Sequence, residues 1–281
     1  MKTIDTSVIS EHVYKLLLEV NCNLPLDVKD SINKSINIEN SPIGKEILSQ
    51  IEKNYITACQ NNIPICQDTG MVVIFIEIGQ EVKLVGEFID NAINKGIINA
   101  YKDGYFRKSV VGDPLKRENT DDNTPGIIHY EIVEGDEIKI TVMPKGFGSE
   151  NMSAMKMLKP SDGIEGVKAF VLETVSNAGP NACPPLFIGV GIGGTFEKCA
   201  LLAKKALCRS VDKNNNNLIY KKLEEDLISE INKLGIGPMG MGGNNTVLGV
   251  NIETYPTHIA GLPVAVNICC HVNRHKSVTI N

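Results

Sequence analysis

The sequence predicts an α+β protein, in which a helical N-terminal portion is followed by a mixed β-sheet flanked by helices. Apolar residues recur at helical spacing through residues 8–20. A second amphipathic segment follows Ser41 and Pro42, where Ser suits the N-cap and Pro the first helical position. From residues 71–78 onward, short apolar runs rich in β-branched residues alternate with helical segments, which indicates strands mixed with helices.

The remaining elements are predicted from the same two periodicities. Further helices are expected at 84–101, 160–178, 195–208 and 218–234, and a short helix with a loop within 24–40. Further strands are expected at 186–190, 246–252 and 263–268. Residues 127–133 and 137–143 are predicted to pair as a hairpin, since turn-forming residues separate two β-branched runs. We treat 1–281 as a single domain, with a possible helical lobe at 1–62 and a mixed α/β lobe at 63–281.

Composition and charge argue against several classes of protein. The net charge is −5 and the isoelectric point about 5.6, so we expect neither a nucleic acid nor a membrane as a partner. No apolar run approaches the ~20 residues of a membrane-spanning helix, and the N-terminus lacks the apolar core of a signal peptide. We therefore expect a cytoplasmic protein. The 8 cysteines include no C-x-x-C pair, which argues against a zinc ribbon or a thioredoxin-type motif.

The stretch from Cys66 to Thr69 places a thiol, an amide, a carboxylate and a hydroxyl on consecutive residues. Gly70 then allows a turn into the buried strand predicted at 71–78. Reactive groups at one end of a buried strand indicate a functional site. The alternative is a polar loop whose cysteine is buried for packing, and this stretch alone does not decide between the two.

Three cysteine positions share a setting, because each lies at the boundary of an element beside a proline or a strand. They are Cys66, Cys183 within GPNACPP, and the adjacent pair Cys269 and Cys270. Rigid loops that present thiolates suit an iron–sulfur cluster held by three cysteines. Such a cluster leaves one iron open to act as a Lewis acid on a substrate oxygen. The other cysteines occupy helical or amphipathic positions, which favours core packing: Cys22, Cys59, Cys199 and Cys208.

Residues 189–194 (GVGIGG) formally match the G-x-G-x-x-G fingerprint of dinucleotide-binding folds. That fingerprint also needs a second parallel strand with an acidic residue about 20 residues further on. Here the predicted helix runs to Arg209, and Asp212 lies in a polar stretch. A nicotinamide enzyme is therefore the weaker interpretation of this stretch.

Specific motifs run through nearly the whole chain: CQDTG at 66–70, MPKGFGSENMS at 143–153, NACPP at 181–185, GIGGTFEKCALLAKKAL at 191–207, GPMGMGGNNTVLGV at 237–250 and YPTHIAGLPVAVN at 255–267. Together they resemble the class I (iron–sulfur) fumarase and tartrate dehydratase family, over the α half of its enzymes. The resemblance implies an α-subunit that works with a β-subunit, in an α2β2 assembly. It also implies a [4Fe-4S] cluster on Cys66, Cys183 and Cys270. The third ligand is chosen because C-H-V-N-R at 270–274 fits the family's cysteine before an arginine, with Cys269 as the alternative.

The resemblance implies roles for residues beside the cluster as well. Gln67 and Asp68 would hold the substrate's hydroxyl and carboxylate and manage protons. An Asx turn before Gly70 is the structural alternative for Asp68. His258 matches the family's active-site histidine and is, with Asp68, a candidate for proton transfer.

Binding of a dicarboxylic acid is implied by three further positions. Arg107 matches an arginine that grips a substrate carboxylate, against the alternative of a solvated surface arginine. Gly146 and Gly148 would allow backbone amides to approach an anion. The implied reaction is the hydration of fumarate to (S)-malate, with L(+)-tartrate to oxaloacetate as the close alternative. The catalytic base could come from the β-subunit. A non-catalytic, cluster-bearing redox protein is the remote alternative.

Overall fold

The computed structural model describes residues 2–281. The α-helices, labelled α1 to α8, are Thr6–Cys22, Leu26–Ile38, Pro42–Asn61, Ile89–Asp103, Phe147–Glu150, Gly163–Ala178, Phe196–Ala206 and Leu218–Asn232. The β-strands, labelled β1 to β10, are Lys2–Asp5, Met71–Gly79, Val82–Val85, Ile127–Val133, Ile138–Lys145, Ala154–Leu158, Leu186–Gly193, Val247–Tyr255, Leu262–Cys269 and Lys276–Ile280. Within this described part of the chain, no helix is both long enough and apolar enough to cross a membrane.

The predicted α+β class is confirmed, since three long helices follow the short strand β1 and mixed sheets come after them. The Ser41 signal is confirmed as well. α3 begins at Pro42, and the Ser41 hydroxyl accepts the amide proton of Gly44 over 3.1 Å. α2 is more regular than predicted, because it continues to Ile38 where a loop was expected.

The chain folds into two compact units, each assembled from separated segments. Unit 1 comprises the N-terminal segment to Pro25, Tyr55–Phe147 and Arg274–Asn281. Unit 2 comprises Leu26–Asn54 and Gly148–Asn273. Each unit takes segments from both sides of residue 62, so neither coincides with the possible lobes 1–62 and 63–281. The assignment of 1–281 to one family-type domain stays a prediction.

Unit 1 is built on a sheet with the strand order β10-β5-β2-β4. The central strand β2 has five consecutive buried residues, 72–76, which confirms the predicted buried strand. Its core joins apolar side chains of α1, α4, β2 and β5. Val13, Ile93, Ile74 and Ile140 represent these four elements, and all four are fully buried.

The predicted hairpin between β4 and β5 is wrong. Both strands form, but each pairs with β2, which lies between them: β4 is parallel to β2 and β5 antiparallel to it. The connection crosses the end of β2, where the amide of Gly79 donates to Glu137 over 2.8 Å and that of Glu81 to Gly135 over 3.0 Å. A Cβ on Gly79 would lie 2.4 Å from the Gly135 carbonyl oxygen, so this crossing requires glycine.

The helix predicted at 84–101 begins only at Ile89. The preceding residues form β3, which pairs in parallel with β1 at the N-terminal end of the chain. That partner is remote in sequence, so the local apolar pattern of residues 82–85 could not distinguish a strand from the start of a helix.

Unit 2 is built on a sheet with the strand order β6-β9-β7-β8, in which β7 is parallel to β8 and antiparallel to β9. Helices α6 and α8 cover one face, where Val264, Val266 and Ile268 of β9 join their core. On the opposite face, Ala265 packs against Cys199 and Ala203 of α7. The alternation along β9 is that of a strand buried on both faces.

The glycine-rich fingerprint at 189–194 serves helix packing in this sheet. Gly189 and Gly191 lie inside β7 rather than in a turn that opens a helix. A Cβ on Gly189 would lie 2.1 Å from the Ala203 carbonyl oxygen, and one on Gly191 would lie 2.0 Å from that of Cys199. The two glycines therefore let the backbone of α7 approach the sheet, which removes the structural basis for a dinucleotide-binding loop.

Candidate active site

The loop of residues 66–70 lies in unit 1, between α3 and β2. Cys66 is half-buried and is not in a disulfide. Gln67 is exposed and Asp68 half-buried, while Thr69 and Gly70 are buried. The first three side chains, which the sequence placed in a functional site, are thus the ones that reach the surface of the unit.

The carboxylate of Asp68 joins this loop to the one after β5. Its Oδ1 accepts the amide proton of Gly70 over 2.9 Å, which is the Asx turn considered as the alternative. Its Oδ2 accepts the amide proton of Phe147 over 2.8 Å. A Cβ on Gly146 would lie only 3.2 Å from the same Oδ2. Asp68 and Gly146, two predicted site residues, are therefore direct neighbours.

The backbone of the loop is held by buried side chains from other elements. The Tyr101 hydroxyl, on α4, lies 2.6 Å from the Thr69 carbonyl oxygen and 3.0 Å from that of Gly70, and its proton is shared between them. The Asn123 side chain also donates to the Gly70 carbonyl, over 3.2 Å. Both Tyr101 and Asn123 are 0% exposed. Burial raises the pKa of Tyr101 well above its ordinary value, so the hydroxyl remains a donor.

Arg274 holds the loop from a third direction. Its Nη2 donates to the Asp68 carbonyl, and its Nε donates to the Pro144 carbonyl over 3.1 Å. The side chain is 2% exposed. From the sequence, Arg274 only helps to select the third cysteine, and Tyr101 has no predicted role. The signal available for Arg274 was its position at the end of an apolar segment. No local pattern distinguished Tyr101 from other apolar residues of α4.

Arg107 is exposed and attached to the loop through its backbone. The Thr69 hydroxyl donates to the Arg107 carbonyl over 2.7 Å. The position of the Arg107 backbone is thus tied to the loop of residues 66–70, while the guanidinium remains available to a ligand.

Cys183 and Cys270 lie at the same end of the two central strands, β7 and β9, of the sheet in unit 2. Cys183 is exposed, has left-handed backbone angles (φ 54°, ψ 64°) and precedes β7. Cys270 is half-buried and follows β9. Because Phe187 of β7 pairs with Cys269 of β9, the start of one strand lies beside the end of the other. The Nδ1 of His271 is also 3.1 Å from the Cys183 carbonyl oxygen.

Of the adjacent cysteines, Cys270 is half-buried and Cys269 is 2% exposed. A hydrogen bond with the Cys269 side chain, together with desolvation, raises the pKa of the Cys270 thiol well above its ordinary value. The two cysteines therefore differ in burial, because Cys269 closes β9 and Cys270 lies just beyond it.

His258 lies at the opposite end of β9 from Cys270. It is exposed, in the connection between β8 and β9, and its Nδ1 accepts the amide proton of Ala260 over 3.2 Å. The 8 residues of β9 separate it from Cys270, a span of roughly 25 Å in a strand. Unit 2 thus brings Cys183 and Cys270 together and keeps His258 apart from them.

Gly148 is an exposed residue of the same unit, in α5.

The remaining cysteines follow the packing prediction only in part. Cys22 and Cys199 are buried, and burial raises the pKa of both thiols. Cys208 is half-buried, whereas Cys59 is exposed on α3, so core packing is wrong for Cys59. Within either unit, across residues 2–281, no three His, Cys, Asp or Glu side chains form a ready cation site.

Comparison with known proteins gives the chain its family. Residues 10–279 match the model of the family described as Fumarate hydratase (Fumerase). A Methanocaldococcus jannaschii protein, provisionally named an L(+)-tartrate dehydratase subunit alpha, is 43% identical over 273 residues, 95% of each chain. The L(+)-tartrate dehydratase subunit alpha of Escherichia coli strain K12 is 32% identical over 276 residues, 97% of this chain and 91% of that protein. The chain therefore belongs to the fumarate hydratase family of hydro-lyases.

Proposed function

We propose that this chain is the α-subunit of a two-subunit enzyme that hydrates fumarate to (S)-malate. The observation that carries the proposal is the family match, because residues 10–279 include every candidate site position from Cys66 to Cys270. The names of the relatives support the α-subunit assignment and hence a β-subunit as partner. A cytoplasmic location is part of the proposal, since none of the cysteines is in a disulfide.

The donor set fits a [4Fe-4S] cluster held by three cysteines. Cys66, Cys183 and Cys270 each carry a thiol that is outside any disulfide and at least partly accessible, in a segment just before or after a strand. Cys22 and Cys199, by contrast, are buried. When bound, a cluster with three protein ligands supplies an open iron that acts as a Lewis acid.

Substrate binding is assigned to side chains and amides around the loop of residues 66–70. The exposed guanidinium of Arg107 can form a bidentate pair with one carboxylate of a dicarboxylic acid. The exposed amide of Gln67 can hold a substrate hydroxyl. Gly148 leaves room for a ligand to approach the backbone, whereas the space beside Gly146 is taken by the Asp68 carboxylate. Cys66 is close in sequence to Gln67, so these groups would surround the reacting part of the substrate.

Proton transfer is assigned to Asp68 and His258. Both Asp68 oxygens already accept amide protons, so a proton would be taken by a remaining lone pair. His258 is exposed and can reach a ligand on another chain. A base supplied by the β-subunit remains compatible with this assignment.

The position of His258 supports the proposed α2β2 assembly. Within one chain, the length of β9 separates His258 from Cys270. A site that uses both residues therefore needs a second copy of this chain to bring its His258 to the first copy's Cys270. Ile259, beside His258, is 91% exposed and Tyr255 is 53% exposed, which suits a surface covered by another subunit.

L(+)-tartrate is the second candidate substrate, and the names of the relatives favour it. Tartrate dehydration to oxaloacetate uses the same elements, namely two carboxylates and a hydroxyl beside the carbon that loses a proton. We assign the contacts that distinguish the two acids to the β-subunit, so the groups assigned on this chain would bind either acid.

The deciding experiment assays the cluster-reconstituted αβ complex, and this chain alone, on fumarate and on L(+)-tartrate. We expect activity from the complex on one acid and negligible activity from the chain alone, because positioning of the far carboxylate contributes several kcal/mol. Inactivity of the complex on both acids would refute the proposed function. Enzyme-like rates from the chain alone would refute the need for a β-subunit.

A matched pair of arginine variants tests the substrate contact. Arg107→Lys should raise KM about tenfold, because lysine cannot form the bidentate pair. Arg117→Lys is the control, since Arg117 is also exposed. Equal KM values for the two variants would remove Arg107 from the site.

A further inference from the structure

Three successive carbonyl groups of the loop 66–70 accept hydrogen bonds from buried side chains of distant segments. Arg274 donates to Asp68, Tyr101 to Thr69 and Gly70, and Asn123 to Gly70 as well. This loop belongs to neither a helix nor a strand, so these side chains supply the restraint that a ladder of backbone hydrogen bonds would supply elsewhere.

Arg274 is an unusual choice for this purpose. Burying a guanidinium is costly, and such groups are ordinarily paired with a carboxylate. The described hydrogen bonds of Arg274 instead go to the backbone carbonyls of Asp68 and Pro144, and its Nη1 has no partner among residues 2–281. Arg274 thereby joins the loop 66–70 to the strand end that leads into Gly146. The desolvation penalty of a buried guanidinium thus falls where the loop 66–70 and the segment leading into Gly146 meet.

The restraint extends to other site residues through bonds made by the loop itself. Thr69 donates its hydroxyl proton to the Arg107 carbonyl over 2.7 Å. Asp68 accepts the amide proton of Phe147 over 2.8 Å. A shift of the loop would therefore displace Asp68, Arg107 and the backbone beside Gly146 together.

We propose that Tyr101 and Arg274 are positioning residues, which fix the loop 66–70 so that Cys66, Gln67 and Asp68 are presented in one geometry. The proposal rests on the proposed function, because it concerns the same site. Neither side chain need touch the substrate. A displacement of about 1 Å in reacting groups can lower a rate about 100-fold, so the restraint has a direct consequence for turnover.

The test compares Tyr101→Phe and Arg274→Lys with two control variants. Tyr101→Phe removes only the hydroxyl, and Arg274→Lys keeps the charge but replaces the two donor nitrogens, Nε and Nη2, by a single ammonium nitrogen. Tyr14→Phe is the first control, since the Tyr14 hydroxyl bonds to Asp103 at the surface of the same unit. Arg209→Lys is the second, because Arg209 is paired with Glu224 within unit 2, whereas the loop belongs to unit 1.

Amide hydrogen exchange of the cluster-free chain provides a measurement that does not depend on activity. The amides of Gly70 and Phe147 are both bonded to Asp68 and report on the loop. Those of Ile74 and Ile76, in β2, report on the core. We expect Tyr101→Phe and Arg274→Lys to accelerate exchange at the two loop amides about tenfold, and the core amides less than twofold. The rate of Cys66 alkylation by iodoacetamide should rise in parallel.

In the reconstituted αβ complex, the same two variants should lower kcat at least tenfold, whereas the controls should keep kcat within twofold. Equal acceleration of loop and core amides would overturn the proposal, because the residues would then be merely structural. An unchanged kcat with a released loop would overturn it too. If the wild-type complex is inactive on both acids, the proposed function fails, and the exchange rates alone decide whether Tyr101 and Arg274 hold the loop.

Discussion

The adjacent cysteines at the end of β9 differ in accessibility rather than in chemistry. Cys269 is the last residue of the strand and 2% exposed, and Cys270 is the first residue beyond it. Their side chains are close enough to form a hydrogen bond. The end of the strand is therefore what makes the two residues different.

The first prediction concerns this pair. Cys270→Ser should abolish assembly of the iron–sulfur cluster, because serine removes an accessible thiolate ligand. Cys269→Ser should keep most of the cluster, and Cys199→Ser, in the core of unit 2, is the control for a buried cysteine. Bound iron per chain and the visible absorbance after anaerobic reconstitution measure the result. Loss of the cluster in Cys269→Ser alone would transfer the ligand to Cys269.

Glu39, 1% exposed, is a buried carboxylate of unit 2, and it organises the loop before β8. Its Oε1 accepts the amide protons of Ser41 and Asn244, and its Oε2 accepts from the amide and the side chain of Asn245. Burial alone raises the pKa of Glu39, but these hydrogen bonds outweigh it and hold the pKa below its ordinary value.

The second prediction follows from that lowered pKa. Glu39→Gln should reduce the free energy of unfolding by about 2 kcal/mol at neutral pH, because the new amide group faces donors instead of accepting from them. The contribution of the carboxylate is complete above its unfolded pKa, near 4.3, and is lost as the pH falls through the folded value. The difference from wild type in urea unfolding should therefore shrink below about pH 4. Glu46→Gln is the exposed control, and an equal loss there would contradict the assignment.

At the scale of elements, the packing of α7 on β7 explains a motif that resembled a cofactor loop. Gly189 and Gly191 alternate with Ile188, Val190 and Ile192, which belong to the core on the other face of the sheet. One face of β7 is therefore apolar and bulky, and the other is bare so that α7 can lie against the strand.

The third prediction is that Gly191→Ala destabilises the protein by about 2 kcal/mol, because the added methyl group would lie 2.0 Å from the Cys199 carbonyl oxygen and α7 must move. Gly261→Ala is the matched control in the same unit, since its Cβ would meet no atom closer than 3.9 Å. Thermal unfolding should show a loss of a few degrees for the first variant and little change for the second. Similar losses in both would argue against close packing as the role of Gly191.

At the scale of the whole molecule, the proposed assignments give the sheet of unit 2 functional residues at both ends of its strands. Cys183 and Cys270 lie at one, and His258 lies at the other. A chain that contributes to sites at both ends would share each site with a second copy, as expected of a symmetric oligomer.

The fourth prediction tests that sharing by complementation. His258→Asn and Cys270→Ser chains, each expressed with the β-subunit, should be nearly inactive. Expressed together, they should recover about one quarter of wild-type activity, because random pairing gives about half mixed assemblies, each with one intact site of two. Absence of recovery, with mixed assemblies confirmed by affinity tags, would show that His258 and Cys270 do not meet across two copies. Mixed assemblies of a doubly substituted chain with a wild-type chain, isolated with the two affinity tags, contain no intact shared site and are the inactive control.

The sequence by itself determined the elements whose pattern is local. The apolar faces of α1 and α3, the Ser41-Pro42 helix start and the buried run of β2 all depend on side-chain spacing along a few turns or one strand. The family motifs were local too, so the candidate residues could be named without a structure. The start of α4 at Ile89 and the pairing of β4 with β2 could not be predicted from the sequence, because each depends on a strand that is remote in the chain.

The tertiary structure alone decided which of those residues are neighbours. It placed Cys183 beside Cys270 through the pairing of β7 with β9, and it separated His258 from them by the length of one strand. It also revealed Tyr101 and Arg274, whose side chains reach the loop 66–70 from distant segments. Hydrogen bonds between remote residues form only once the core has brought their elements together, and no periodicity along the chain encodes them.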